Sequence, residues 1–182
     1  MSKSTISTFE LFDLFPDEES ARIYLEGRLW PNGTACPTCQ AQDRITPRAN
    51  GYYRCNACQL DFTVRTGTIF ERSHVPLHKW VYAMYLLVTA RKGISSLQLA
   101  KEIGVTQKTA WFILGRFRLL DALFLGLHGV YHHASPKHLQ RYVDEFTFRL
   151  NDGDVKRHTF ERLDSFIDNT SGKRLTYKGL IQ

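Results

Sequence analysis

Cys36-Pro-Thr-Cys39 and Cys55-Asn-Ala-Cys58 hold every cysteine in the chain. Each pair sets two sulfurs on one tight turn, and residues 40–54 bring the turns together. Two such pairs at this distance match a four-cysteine zinc site. Zinc takes four ligands in a tetrahedron, and thiolates suit it. Protein fills all four positions and leaves none for water, so the ion is expected to be structural. Metal binding supplies about 10–16 kcal/mol to a small unit of this kind. The stretch between the pairs has too few apolar residues to form a core without it. Two redox pairs or free buried thiols are the alternative.

The cations form the second chemical signal. The formal net charge is +6 over 182 residues. Residues 1–30 carry three basic and six acidic side chains, residues 31–74 five and three, and residues 121–182 nine and eight. Residues 75–120 carry seven basic side chains and one acid, which accounts for the excess. A local positive field of this kind attracts polyanions, and DNA is the commonest for a soluble protein. A solvated, lysine-rich helical surface is the plainer alternative.

The elements that must position these groups follow from pattern. Phe15-Pro16-Asp17-Glu18-Glu19 reads as a helix start, with Asp17 as cap and the acids at the positive end of the dipole. Ala21, Leu25 and Leu29 then make one apolar stripe, and Trp30–Gly33 supplies turn chemistry. From Cys36 to Phe70, strand-like pieces at Arg44–Thr46, Tyr52–Cys55, Phe62–Arg65 and Thr68–Phe70 alternate with turn residues, giving a small β unit, a zinc ribbon. After Pro76 the helical period returns. Leu77, Trp80, Val81, Met84, Leu87 and Val88 share a face, closed by Gly93. Ser95-Ser96-Leu97-Gln98 fits a capping box for a short helix ending at Ile103. Gly104-Val105 turns the chain, Thr106 caps the next helix, and Ala110, Ile113, Leu114 and Phe117 form its core stripe.

Three helices with a short middle member, a glycine in the turn and a basic third helix resemble a helix-turn-helix unit. Lys108, Phe112 and Gly115 point away from the core stripe, flanked by Thr109 and Arg116. Gln107, Lys108 and Thr109 lie at the end that reaches base edges. Arg91, Lys92, Lys101, Arg116 and Arg118 are then phosphate contacts, which give affinity without sequence information. A plain three-helix bundle is the alternative. His132, His133 and His138 lack nearby cysteines or matched carboxylates, and His74 and His78 flank a helix start; all five read as surface or packing residues. Asp144-Glu145 is one acidic pair, whereas a two-metal centre needs carboxylates from separated strands.

The run GYYRCNACQLDFTVRTGTIFERSHVPLHKW, followed by KGISSLQLAKEIGVTQKTAWFILGRFR, resembles the bacterial insertion-sequence transposases of the ISXO-like group. FPDEESARIYLEGRLWPNGTACPTC is similar to that family's opening, and GVYHHASPKHLQRYVDEFTFRLN with GKRLTYKGLI to its C-terminal segment. The resemblance covers residues 12–118 and about 128–181, and TGTIF, KGISSLQLA and TQKTAWF are its most specific motifs. It implies a zinc ribbon, a helix-turn-helix and an RNase H-like core whose DDE acids use Mg2+. One departure stands out. The family places its first catalytic aspartate in a V-D-E-T segment soon after the basic helix, and nothing like it follows Arg118. Val143-Asp144-Glu145 imitates it, but its neighbours belong to the C-terminal segment. Leu119–Leu127 reads as the scar of an internal deletion. An RNase H-like core usually needs over ~100 residues, and residues 119–182 are largely helical in pattern. The helix face Leu139, Tyr142, Val143 and Phe146 is left to find another partner.

The expected fold is α+β and mostly α, with no complete RNase H-like domain. Residues 1–34 form an N-terminal helical segment, 35–74 a zinc ribbon, 75–120 a helix-turn-helix domain, and 121–182 the remnant of a catalytic domain, a short helical tail with weak signals after Asn151. The expected function is binding transposon terminal repeats as double-stranded DNA, with no catalytic residues assigned, Zn2+ as structural cofactor, and Mg2+ only for an intact core. Intact transposase copies or a second copy of the chain are further partners. An active transposase with unrecognised acids, a repressor of transposition, and a decayed product whose ribbon binds protein remain as alternatives. The N-terminus has no basic stretch followed by an apolar run, and the longest apolar stretches are too short to cross a bilayer, so a cytoplasmic protein, nucleoid-associated when on DNA, is expected.

Overall fold

Helix formation begins earlier than the sequence pattern indicated. A computed structural model describes residues 6–90, 94–118 and 158–168. The first helix, α1 (Thr8–Leu14), precedes the expected start at Asp17. Ser7 and Glu10 close a capping box around it, at 2.6 and 3.2 Å. The next, α2 (Glu18–Leu29), starts as expected: the Asp17 carboxylate accepts from the Ser20 amide at 2.8 Å. Ala21 and Leu25 are fully buried.

The β unit is a three-stranded antiparallel sheet in the order β1 (Ile45–Pro47), β2 (Tyr53–Cys55), β3 (Asp61–Phe62). Ile45 pairs with Cys55, and Tyr53 lies between Pro47 and Phe62. Gly51, at φ +71°, cannot be replaced cheaply, because an added Cβ would meet the Arg22 side chain at 2.5 Å. The strand-like pieces expected beyond Phe62 are turns instead. Thr63, Thr66 and Thr68 explain why: their hydroxyls accept from the Arg65, Thr63 and Phe70 amides, which diverts those groups from any ladder.

The helix α3 (Leu77–Thr89) is central. The predicted face Leu77, Trp80, Val81, Met84, Leu87 and Val88 is buried, and so are Tyr82, Ala83 and Tyr85. It is covered on nearly every side. Phe12 of α1 packs on Tyr82 with ring centroids 4.9 Å apart, and the Tyr85 hydroxyl donates to the Ile6 carbonyl at 2.8 Å. Next come α4 (Ser96–Ile103) and α5 (Gln107–Arg118), joined by Gly104–Thr106. Gly104 ends α4 at φ +63°, and the Lys79 ammonium donates to its carbonyl at 3.2 Å. The Ser95 hydroxyl accepts from the Gln98 amide and the Thr106 hydroxyl from the Thr109 amide, each at 3.2 Å, so both residues cap as expected, with only the Ser95 half of the expected capping box formed. Ala110, Ile113, Leu114 and Phe117 are buried as their spacing requires.

The last described element, α6 (Thr159–Asp168), lies where the sequence gave only weak signals. Leu163, Phe166 and Ile167 enter the main core. The Tyr24 hydroxyl donates to Asp164 at 2.7 Å, and Arg28 pairs with Asp168 at 2.6 Å. One apolar cluster thus draws on all six helices described and on Val64, Ile69 and Phe70. The ribbon keeps a smaller cluster of Cys36, Cys55 and Phe62, with Trp30 against it. The fold is α+β and mostly helical. The helix expected around 139–146 and the segment 119–127 lie outside the described residues, as does Gly93. No described helix is long and apolar enough to cross a membrane.

Candidate metal centre and nucleic-acid interface

The four cysteine sulfurs lie within 4.8 Å of one another. Cys36 and Cys58 sulfurs are 3.6 Å apart, and those of Cys39 and Cys55 are 3.5 Å apart. A Zn–S bond of about 2.3 Å implies sulfur–sulfur edges of about 3.8 Å in a tetrahedron, so the cluster has the size that zinc requires.

Local backbone explains how two separate turns reach this geometry. The Cys36 amide donates to the Ala41 carbonyl at 3.0 Å, and the Cys55 amide donates to the Leu60 carbonyl at 2.9 Å. Both bonds span five residues. Gln40 and Gln59, which follow the second cysteine of each pair, share a left-handed backbone at φ +60° and +58°. The knuckles are built alike, and β1–β2 pairing holds them face to face.

The sulfurs do not ionise alike. Amides of Cys58 and Ala57 favour the Cys55 thiolate and hold its pKa down to about 6. The Leu60 amide favours the Cys58 thiolate too, but burial and the three neighbouring sulfurs outweigh it and push Cys58 up to about 12. Four thiolates this close repel, and a divalent cation among them removes that cost. Four cysteines in this arrangement fit a structural zinc.

The residues expected to contact DNA fall on α4, on α5 or outside the described residues. Gln107 and Lys108 are exposed, and Lys101 is exposed on α4. Thr109 is half-buried, and its hydroxyl lies 2.9 Å from that of Thr106, so it serves the cap of α5. Arg116 lies elsewhere than its place on the helical projection indicated. It is 3% exposed. Its guanidinium donates to the Ile69 carbonyl and lies 4.3 Å from the centre of the Phe112 ring. Burial pulls its pKa down to about 10, against the opposing pull of Glu71. Gly115 is also buried. A projection of one helix cannot show this, because the turn carrying Ile69 packs against α5 from outside it. Arg118 ends α5, while Arg91 and Lys92 lie outside the described residues.

Beside Lys108 opens a cleft of about 570 Å³ between residues 72–76 and 105–112. Trp111, 40% exposed, lines it together with Arg72. Sequence reasoning passed over both. The signal was there for Trp111: a large aromatic three residues after Lys108 interrupts the polar face of an otherwise amphipathic helix.

Comparison with known proteins agrees with this arrangement. The family model described as a transposase zinc-ribbon domain matches residues 16–61, taking in α2 as well as the sheet. The model described as an ISXO2-like transposase domain matches residues 120–151. A Halobacterium salinarum protein described as an uncharacterized protein in transposable element ISH50 is 39% identical over 112 residues. That alignment covers 59% of this chain and 37% of the relative, so the chain spans little more than a third of that protein's length. No solved structure matches the chain. Two separate segments are thus similar to two domains described for insertion-sequence transposases.

Proposed function

We propose that this chain binds double-stranded DNA at the terminal repeats of an insertion sequence, and does so without a complete catalytic core. Zinc held by Cys36, Cys39, Cys55 and Cys58 fixes the ribbon. Gln107 and Lys108 read base edges, and Lys101 with Arg118, Arg91 and Lys92 supplies phosphate contacts. Thr109 sits beside them as part of the helix cap. Arg116 holds α5 to the Ile69 turn and is left out of the contact set.

The observation that carries this proposal is the exposed Gln107–Lys108 pair at the N-terminal end of α5, within a block of seven cations and one acid. That is the end of a recognition helix that meets bases. The ribbon and transposase-domain matches support the same partner.

A gel-shift on the zinc-loaded chain, with duplexes that contain or lack candidate terminal repeats, tests it. Binding should weaken steeply as salt rises. Lys108→Ala should lower affinity for the repeat-containing duplex by about 1–3 kcal/mol if its contact is to a base edge. A flat salt response, or equal binding of both duplexes, speaks for a protein-binding ribbon. A strand-transfer assay with Mg2+ tests the catalytic half, and robust joining of ends would overturn it.

A further inference from the structure

We infer that Arg72 grips a DNA phosphate across the cleft from Lys108, so that the segment after the ribbon and the start of α5 act as one recognition surface. This inference rests on the DNA-binding proposal above.

The cleft is lined by two chain segments, and a cation stands on each: Arg72 on one, Lys108 on the other. None of the described residues lining it is acidic. Val75, Pro76, Val105, Trp111 and Phe112 supply its apolar lining, beside Ser73, His74, Thr106 and Thr109. An apolar lining with a cation on each segment suits a sugar–phosphate strand, whose sugars present carbon and whose phosphates present charge. It does not suit a cationic or purely polar partner.

Arg72 is held out from a rigid frame. Its side chain is 75% exposed, and its backbone sits at φ +57°, a conformation that strains any residue but glycine. Its neighbours are pinned. Arg65 donates to the Ser73 carbonyl at 3.2 Å and the Val75 carbonyl at 3.0 Å. The Ser73 hydroxyl accepts from the Val75 amide and from the Trp80 indole, each at 3.2 Å. Among the described residues its one ion pair is a long 3.9 Å contact with Glu71, which also accepts from the Gly67 amide at 3.0 Å. A guanidinium so placed can reach a strand lying along α5 from a fixed backbone, and only its side-chain rotamers remain to be ordered.

Fluorescence anisotropy on the zinc-loaded full chain, with random-sequence and repeat-containing duplexes, tests this over about 50 to 200 mM salt. One lost phosphate contact should reduce the slope of log affinity against log salt by about 0.9 for Arg72→Gln. At 0.1 M salt that slope corresponds to roughly eightfold weaker binding, equal for both duplexes. Arg72→Lys should keep the wild-type slope. Arg48→Gln removes the same unit charge from the ribbon and should also leave the slope unchanged. If Lys108→Ala weakens binding while Arg72→Gln keeps the wild-type slope, this inference falls and DNA binding stands. The same holds if Arg48→Gln loses as much as Arg72→Gln. If the wild-type chain binds neither duplex, both fall together.

Discussion

The rings of Phe117 and Phe166 meet edge to face, with centroids 5.2 Å apart. One lies in the last turn of α5 and the other on α6, some fifty residues later in the chain. Phe117 also packs edge to face on Trp80 of α3, at 5.5 Å. A helix distant in sequence therefore completes the core beneath α5. Phe166→Ala should cost about 3–5 kcal/mol, the usual loss for a buried phenylalanine. Urea denaturation checks it, and a loss below about 1 kcal/mol would show that α6 is dispensable.

Metal removal should separate the two apolar clusters. Trp30 sits edge to face on Tyr53 at 5.4 Å and on Phe62 at 5.9 Å, beside the cysteines. Chelation, or Cys55→Ser, should release these rings and shift tryptophan emission to the red. The helical signal in circular dichroism should largely persist, since the main core contains none of the four cysteines. Loss of both signals in one step would show that ribbon and helices unfold as a unit.

Arg116 should matter for stability and not for DNA. Arg116→Ala leaves the Ile69 carbonyl unpaired in a buried position, at a cost of about 1–3 kcal/mol. Arg116→Met fills the space and removes a buried charge, so its cost should be smaller. Neither should change the salt dependence of DNA binding. A reduced slope in a folded Arg116→Met protein would place this guanidinium at the DNA after all.

The Tyr24–Asp164 hydrogen bond should make stability fall in strong alkali. Burial and then the Asp164 carboxylate raise the Tyr24 pKa above its ordinary 10. An acid whose folded pKa is raised keeps its full contribution below its unfolded value and loses it as pH climbs beyond. Stability should thus decline above about pH 10. Tyr24→Phe should cost about 1 kcal/mol at neutral pH, and its alkaline decline should be shallower. Identical profiles for the two proteins would remove the tyrosine from the account.

Much of this was legible from spacing. Cysteine pairs report a metal cluster because ligand number and turn geometry are local matters. The stripes of α3 and α5 were readable because their apolar residues recur at helical spacing, although α3 buries more than that one face. The misses share a cause as well. Thr68–Phe70 has β-forming residues, but threonine hydroxyls take the amides a strand would need. Leu163, Phe166 and Ile167 make a short stripe amid charged residues, and only the partners Tyr24, Arg28 and Phe117 make it intelligible. Arg116 looked like surface because its acceptor is 47 residues away. Local rules found local structure; contacts between distant segments lay beyond them.

The Ile6 amide donates to the Thr159 hydroxyl at 3.3 Å, a contact between residues 153 positions apart. A newly made chain therefore cannot seal this domain before the residues of α6 have been added. Until residue 168 clears the ribosome, Phe117 and the groove beside Tyr24 have no lid, and the polypeptide is exposed to chaperones and to sticking to its siblings.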